Sequence, residues 1–268
     1  MEIRAKSLGW AGVELTAGGA SIVIDPLADP AAVFAPLGDA ADAISQPEVT
    51  AAGAGAIAGL LTHLHRDHAD AGALTASLAP GAPVLEPGTG GGEGLEELGL
   101  AQADQELDAA GIDRRRVTVW ERTEIGPFAV TALPAADGTG DPQVSWLVES
   151  GETRIVHLGD TMFHGWWWRI ALRAGGIDAA FVPINGAILD FPHRRPASPI
   201  PGVMDPAQAA EAVRLLGARV AVPMHYGGYE GGPWYRPADR PLERFVDGVG
   251  GDAQVRPLGA GEETVIGR

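Results

Sequence analysis

Along the chain, short apolar runs alternate with segments rich in Gly, Pro and Ala, and the alternation predicts both strands and helices. Residues 2–9 and 11–16 read as two strands, interrupted by Gly9 and Gly12. Ala17-Gly18-Gly19-Ala20 is a hairpin turn, because adjacent glycines tolerate positive φ. Ser21-Ile22-Val23-Ile24 is a third strand, ending at Asp25-Pro26. Residues 27–56 predict an irregular insertion with room for one short helix, and Ile57 to Thr62 a buried strand. A helix over 69–78, stopped by Pro80-Gly81, leads to a strand at 82–85, a glycine-rich loop at 88–94 and two weak helical segments within 93–110. Strands follow at 116–120 and 128–133, with a turn at 125–127, then a hairpin pairing 143–148 with 153–158. A helix carrying Trp166-Trp167-Trp168 precedes a buried strand at 178–184. Asp205-Pro206 opens a helix running to Leu216-Gly217, with Asp as N-cap and Pro at the first turn. A strand at 219–223, a helix near 239–247 and two short strands complete the pattern. No composition break marks a linker, so residues 1–268 read as a single α/β domain whose two halves each alternate sheet and helix.

Composition narrows this picture. The chain is 46% hydrophobic, enough for a substantial core, yet no run of 18 apolar residues suggests a membrane span. The opening Met1-Glu2-Ile3-Arg4-Ala5-Lys6 lacks a signal-peptide apolar region, and there is no Cys for disulfides or thiolate ligands. A cytoplasmic location is the expectation, and any metal site must use His, Asp or Glu. With 35 acidic against 19 basic residues the net charge is −16, which repels nucleic acid over most of the surface. A small-molecule substrate is expected instead, a phosphorylated one included, since His193-Arg194-Arg195 forms a local basic patch. Homo-oligomerisation is left open. The glycine-rich loop has neither P-loop nor dinucleotide-binding spacing.

The chemistry concentrates in Thr62-His63-Leu64-His65-Arg66-Asp67-His68. Seven histidines occur in 268 residues, and three of them fall within the six positions 63–68 beside Asp67. In extended backbone, residues two apart share a face, so His63 and His65 point together while Leu64 turns to the core. Asp67 and His68 approach the same point after the chain bends. Imidazole and carboxylate bind zinc at roughly 2.0–2.2 Å. A lone histidine is more often a plain surface residue; this clustering after an apolar strand argues for a metal site.

The pattern His-x-His-x-Asp-His after a hydrophobic strand resembles the signature of the metallo-β-lactamase superfamily, and the likeness extends over roughly residues 2–266. The resemblance implies a four-layer αββα sandwich, two mixed sheets flanked by helices. It also implies two divalent metal ions, zinc or alternatively manganese. His63 and His65 would bind the first metal, Asp67 and His68 the second. Asp160 in Gly159-Asp160-Thr161 would bridge both, and His225 in Pro223-Met224-His225-Tyr226 would complete the second. The family normally places a histidine after the strand that here ends Thr131-Ala132-Leu133-Pro134, and this chain has Asp137. Either Asp137 ligates a more anionic first site, or that ligand is lost and the metal binds weakly, with His164 available to fill in. The likeness is greatest to the ascorbate-6-phosphate lactonase and N-acyl-phosphatidylethanolamine phospholipase D-like branch. It implies hydrolysis of a small ester, lactone or phosphodiester by hydroxide held on the metals. Asp67 would orient the nucleophile, and His164, Tyr226 and Asn185 are candidates to bind substrate or protonate the leaving group. Arg194 and Arg195 could hold an anionic group or simply form a solvated turn. A non-catalytic metal-binding or sensing protein, its first site weakened by Asp137, is the alternative. A two-iron oxidoreductase is a third reading, disfavoured by the absence of a flavin-binding partner domain.

Overall fold

The computed structural model of the protein describes residues 2–91, 98–232 and 234–267. The expected opening meander is present as β1 (Ile3–Gly9), β2 (Gly12–Ala17) and β3 (Ala20–Ile24). β4 (Gly59–Leu60), β5 (Pro83–Glu86) and β6 (Asp113–Arg116) extend this sheet in parallel beyond β3, while α1 (Ala71–Ser77) and α2 (Leu98–Ala109) cover it. The second sheet begins with an antiparallel run, β7 (Arg122–Ile125), β8 (Phe128–Pro134), β9 (Val144–Ser150) and β10 (Thr153–His157). It continues in parallel through β11 (Ile177–Pro183), after α3 (Trp167–Ala174). A small pair follows, β12 (Ile188–Leu189) with β14 (Tyr235–Arg236), enclosing α4 (Pro206–Leu216) and β13 (Ala218–Met224) in sequence. α5 (Pro241–Val249), β15 (Gln254–Val255) and β16 (Glu263–Ile266) close the described chain, and β16 returns to pair with β1.

The two large sheets are therefore mixed, in the orders β16-β1-β2-β3-β4-β5-β6 and β15-β13-β11-β10-β9-β8-β7. Alternation along the strands builds three apolar layers. Between the sheets, Val13, Leu15, Ile22 and Leu60 meet Phe128, Val130, Trp146 and Phe181. The opposite face of the second sheet packs Leu147, Val156 and Val182 on Trp167, Ile170, Val213 and Phe245 of its helices. The opposite face of the first packs Val23 and Val84 on Leu74, Leu100 and Leu107. This is the expected αββα sandwich. No helix among the described residues is long and apolar enough to cross a membrane.

Two strand expectations change. The run 57–62 contributes only Gly59 and Leu60 to the ladder. Leu61 still donates to Leu85, but the Thr62 N–H turns to the Asp25 carboxylate at 2.8 Å, so the backbone leaves the sheet just before His63. Of the run 116–120, only Arg116 lies in a strand, and 117–120 form the crossover between sheets. Val117 donates back to Glu86, and Thr118 is then turned by the Glu121 side chain, which accepts its N–H at 2.9 Å. The actual strand, Asp113–Arg116, reads as polar because it is an edge whose Arg114 is tied to Glu86, Asp104 and Asp108. The insertion at 27–56 contains two 3₁₀ segments, Pro30–Val33 and Ala35–Ala43. The expected helix starts shift to Asp70, which caps α1 through the Ala73 N–H, and to Trp167, the second of the three tryptophans. The Asp205 cap is present as a capping box with Gln208. Parts of the expected glycine-rich loop at 88–94 and helical segments at 93–110 lie outside the described residues.

Trp146 ties the sheets together beneath the histidine motif: buried on β9, its Nε1–H donates to the Leu61 carbonyl at 3.1 Å. Trp146→Phe keeps most of the apolar volume but leaves that buried carbonyl unpaired. We expect a loss of about 1–3 kcal/mol in unfolding free energy, measured by urea denaturation; an unchanged midpoint would mean the bond contributes nothing.

Candidate metal centre

The site forms where strand ends from both sheets converge. Leaving β4, the chain carries His63, His65, Asp67 and His68 through a tight bend closed by His68 and Ala69 N–H groups on the His65 carbonyl. β8 delivers Asp137, β10 Asp160, and β13 His225. Potential donor atoms of His63, His65, Asp137 and Asp160 lie within 4.8 Å of one another, and those of Asp67, His68 and His225 form a second such group. Asp160 joins the first group only.

The spacing suits metal ions. Two donors each about 2.1 Å from a tetrahedral ion sit about 3.4 Å apart. In the second group, His68 Nε2, His225 Nε2 and Asp67 Oδ2 form a triangle with sides of 3.3, 3.4 and 3.4 Å. In the first, His63 Nε2 is 2.9 Å from His65 Nδ1 and 3.5 Å from Asp160 Oδ1, and His65 Nδ1 is 3.9 Å from Asp137 Oδ2. Two imidazole nitrogens 3.3 Å apart, as in His68 and His225, cannot both present lone pairs to each other favourably unless a proton or a cation lies between them.

Each of three imidazoles is oriented through its other nitrogen, an arrangement typical of metal-bound histidine. His68 Nδ1–H donates to Asp25 Oδ2 at 2.8 Å. His63 Nδ1–H donates to Thr62 Oγ at 3.1 Å, and that hydroxyl donates onward to Asp25 Oδ2 at 2.6 Å. His65 Nε2–H donates to Asp141 Oδ2 at 2.8 Å. His225 is held differently: its backbone N–H donates to the Trp10 carbonyl at 2.8 Å and its ring lies 4.0 Å from the Trp10 ring. Trp10 Nε1–H also donates to Asp67 Oδ2 at 2.9 Å. Trp10, Asp25 and His225 all adopt positive φ (48°, 44° and 58°), a concentration of left-handed non-glycine residues around one site.

Asp137 is not a loose substitute for the family's usual histidine. Its Oδ1 accepts from Thr139 N at 2.6 Å, Thr139 Oγ at 2.6 Å and Asp141 N at 3.0 Å, leaving Oδ2 turned to the first donor group. A Cβ on Gly138 would lie 2.2 Å from the Gly202 carbonyl oxygen, so only glycine lets this loop press against the 202 segment. Asp160 is set by Gln143 Nε2, which donates to its Oδ1 at 2.6 Å.

Of the other sequence candidates, His164 stacks on Trp167 at 3.9 Å and accepts from Trp166 N–H, outside both donor groups and outside the cavity beside them. Tyr226 faces a separate cavity of about 400 Å³ that it shares with Trp10. Asn185 is buried and donates to Tyr235 Oη at 2.6 Å. The cavity of about 230 Å³ at the donor groups is walled by Val33 and Phe34 of the insertion, Leu189, Val203, Tyr229 and Tyr235, with Arg66 and Arg194 at its border. The insertion thus stands where the entrance was expected. Sequence reasoning did not single out Trp10, Asp25, Asp141, Gln143, Tyr229 or Tyr235. Asp25 carried a signal, an Asp-Pro closing the strand beside the motif strand; the others became visible only once the strand ends were brought together.

Burial and charge shift the site's protonation. Burial opposes the His65 cation, but Asp137 and the hydrogen bond to Asp141 outweigh it and hold His65 up at about 9. Burial raises Asp160 to about 7 and lowers His225 to about 4. An ion taking His65 Nδ1 and Asp160 Oδ1 must displace the protons these groups carry. At pH 7, below the raised value for His65, metal loading should therefore release at least one proton per chain, and the His65 share should vanish as the pH is taken above about 9. Calorimetry in buffers of different ionisation enthalpy measures this, and no release at pH 7 would remove His65 from the ligand set.

The family model described as "Beta-lactamase superfamily domain" matches residues 20–226. A UPF0173 metal-dependent hydrolase of Thermococcus onnurineus is 28% identical over 97% of this chain and 98% of its own. Among solved structures, the metallo hydrolase Igni18 of Ignicoccus hospitalis superposes with a TM-score of 0.66 at 19% identity, covering 100% of both chains. The diiron β-hydroxylase CmlA of Streptomyces venezuelae gives 0.68 at 17% identity, covering 98% of this chain and 53% of that one. With two mixed sheets inside helical layers, histidines and aspartates gathered at the strand ends, and a family match spanning most of the sequence, the chain belongs to the metallo-β-lactamase superfamily.

Proposed function

We propose that this chain is a dinuclear metal-dependent hydrolase of a small ester, lactone or phosphodiester. The observation that carries this reading is the pair of adjacent donor groups opening on one largely apolar cavity. His63, His65, Asp137 and Asp160 would hold one ion, and Asp67, His68 and His225 the other; the bridging role expected of Asp160 would require it to reach the second group as well. When bound, such a pair supplies a water acidic enough to act as nucleophile near neutral pH and a counter-charge for the anion developing on the substrate. Zinc suits the imidazoles, and manganese is favoured by the three carboxylates.

The chain's own residues orient this chemistry. Trp10 Nε1–H fixes the Asp67 carboxylate that would align the nucleophile. Asp25 and Thr62 set the tautomers of His68 and His63, so both offer Nε2. The Phe34, Tyr229 and Tyr235 wall excludes water and packs the substrate's apolar part: Phe34 meets the two tyrosine rings edge-on at 5.0 and 5.9 Å. His164 and Tyr226 remain candidates for the leaving-group proton only if substrate or loop movement brings them to the cavity. The lactonase and phospholipase D-like branch motivates the choice of ester and phosphodiester bonds. A cytoplasmic, single-domain enzyme is part of the same reading. The binding or sensing alternative assumed that Asp137 spoils the first site, and the triple hydrogen bond that presents its Oδ2 to that site argues against this assumption.

The purified chain should bind two transition metals by elemental analysis; less than about 0.2 per chain after incubation with zinc and manganese would end the proposal. His65→Ala and Asp160→Ala should each lower hydrolysis of 4-nitrophenyl esters or bis-4-nitrophenyl phosphate by more than the roughly 10–100-fold typical of outer partners. Asp137→Ala should lose one metal selectively. Asp137→His should keep both and move the rising limb of the pH–rate profile to lower pH, since a neutral ligand replaces an anion. An Asp137→Ala variant with two metals and parental turnover would show that Asp137 is not a ligand.

A further inference from the structure

We propose that the cavity selects substrates bearing an oxyanion, a carboxylate or a phosphate, on a small apolar body, and that Arg194 is the residue that reads this anion. The chemistry to be selected rests on the hydrolase reading above; the binding does not.

Two guanidinium groups border the cavity, and their commitments differ. Arg66 is engaged: its Nη2 donates to both Glu106 oxygens at 2.9 and 3.2 Å and its Nη1 to the Ala32 carbonyl at 2.8 Å. Arg194 makes one side-chain hydrogen bond, from Nη1 to the Thr139 carbonyl at 3.1 Å. Its Nε is buried with no partner; its charge is felt by Asp141, whose carboxyl it helps His65 and Thr139 to hold below the usual range in spite of burial, but among the described residues it forms no direct ion pair. A buried donor without an acceptor is costly, and an anion admitted by a small shift of the side chain would relieve that cost and meet the charge as well, where a water would meet only the donor. The guanidinium fork matches a carboxylate or phosphate, with two parallel N–H groups meeting two oxygens.

The residue is also held in place. Arg194 N–H donates to Phe191 at 3.0 Å, and Arg195 braces the same turn through Asp190 at 2.8 Å and the Phe191 carbonyl at 3.0 Å. Thr139, which anchors Arg194, is the residue whose N–H and hydroxyl fix Asp137. One loop therefore sets both the first donor group and the anion reader, so the distance from scissile bond to anionic end is built in. Leu189, Phe191 and Val203 line the cavity with Arg194 and offer the substrate's body apolar side chains, which favour an apolar group over a hydrophilic one. With a net charge of −16 the protein does not attract anions from afar, so Arg194 acts at contact range as a specificity determinant.

The test uses metal-loaded protein and its Arg194→Gln and Arg194→Lys variants. In calorimetry, phenylacetate and phenylphosphonate should bind the parent at least tenfold more tightly than benzyl alcohol. Arg194→Gln should weaken the anions at least tenfold, and Arg194→Lys should recover part of that loss; the two anions distinguish carboxylate from phosphate. In turnover, the kcat/KM ratio of 4-nitrophenyl hydrogen glutarate to 4-nitrophenyl butyrate should fall at least tenfold in Arg194→Gln. Anion binding equal in parent and Arg194→Gln, as expected if the metals alone hold it, or an unchanged ratio would overturn the proposal. If no ester is hydrolysed, the hydrolase reading fails, while the calorimetric comparison still decides the anion site.

Discussion

The arrangement depends on one buried carboxylate. Asp25, fully buried at the end of β3, accepts from the Thr62 N–H, the Thr62 hydroxyl and His68 Nδ1. The first of these bonds takes the backbone out of the β3–β4–β5 ladder, where another strand residue would have continued it. The second positions the hydroxyl that orients His63. The third orients His68 from the far side of the bend. A single side chain thus converts a strand end into a turn and directs two of its imidazoles. The geometry has a local cost, since Asp25 sits at φ 44°, and the three charge-assisted bonds compensate it.

How much of this was legible in the sequence follows from which forces act locally. The alternation of strands and helices in both halves was readable from the apolar pattern, while the four-layer αββα arrangement came only with the resemblance; the His-x-His-x-Asp-His cluster was readable because extended backbone pairs His63 with His65 without reference to the rest of the chain. Asp160 and His225 were singled out by the resemblance, through Gly159-Asp160-Thr161 and Pro223-Met224-His225-Tyr226, each after an apolar strand. Failures occurred where tertiary contacts override local pattern. Residues 116–120 have strand composition, but past Arg116 Glu121 turns Thr118 and moves the chain between sheets. The charged run Asp113-Arg114-Arg115-Arg116 would normally argue against a strand. What sustains it is the three-carboxylate cradle around Arg114, which is spread over β5 and α2.

The same division holds inside the site. Tyr226 is attractive in sequence because it adjoins His225, yet adjacency at a strand end sends neighbours to opposite sides. The positive φ of His225 then redirects the chain so that Tyr229 and Tyr235 reach the cavity. His164 follows Asp160 closely, but stacking on Trp167 draws it onto the start of α3. Neither displacement could be read without knowing which apolar rings the two sheets bury nearby.

Charge finally explains why a carboxylate can stand where an imidazole is usual. Asp25, Asp67, Asp137, Asp141 and Asp160 gather around four imidazoles, and their side chains are exposed by no more than 17%. Burying so many anions is unfavourable unless cations or protons compensate them. His65 and His68, both pushed above their ordinary range by neighbouring carboxylates in spite of burial, supply protons for part of this balance. Two divalent ions would supply the rest and displace those protons. As a ligand, Asp137 would strengthen the attraction for the cations while making the first of them a weaker Lewis acid than an imidazole would. The loop Asp137-Gly138-Thr139 holds that carboxylate in place: the Thr139 N–H, the Thr139 hydroxyl and the Asp141 N–H engage Oδ1, so Oδ2 is the oxygen left to face the first donor group.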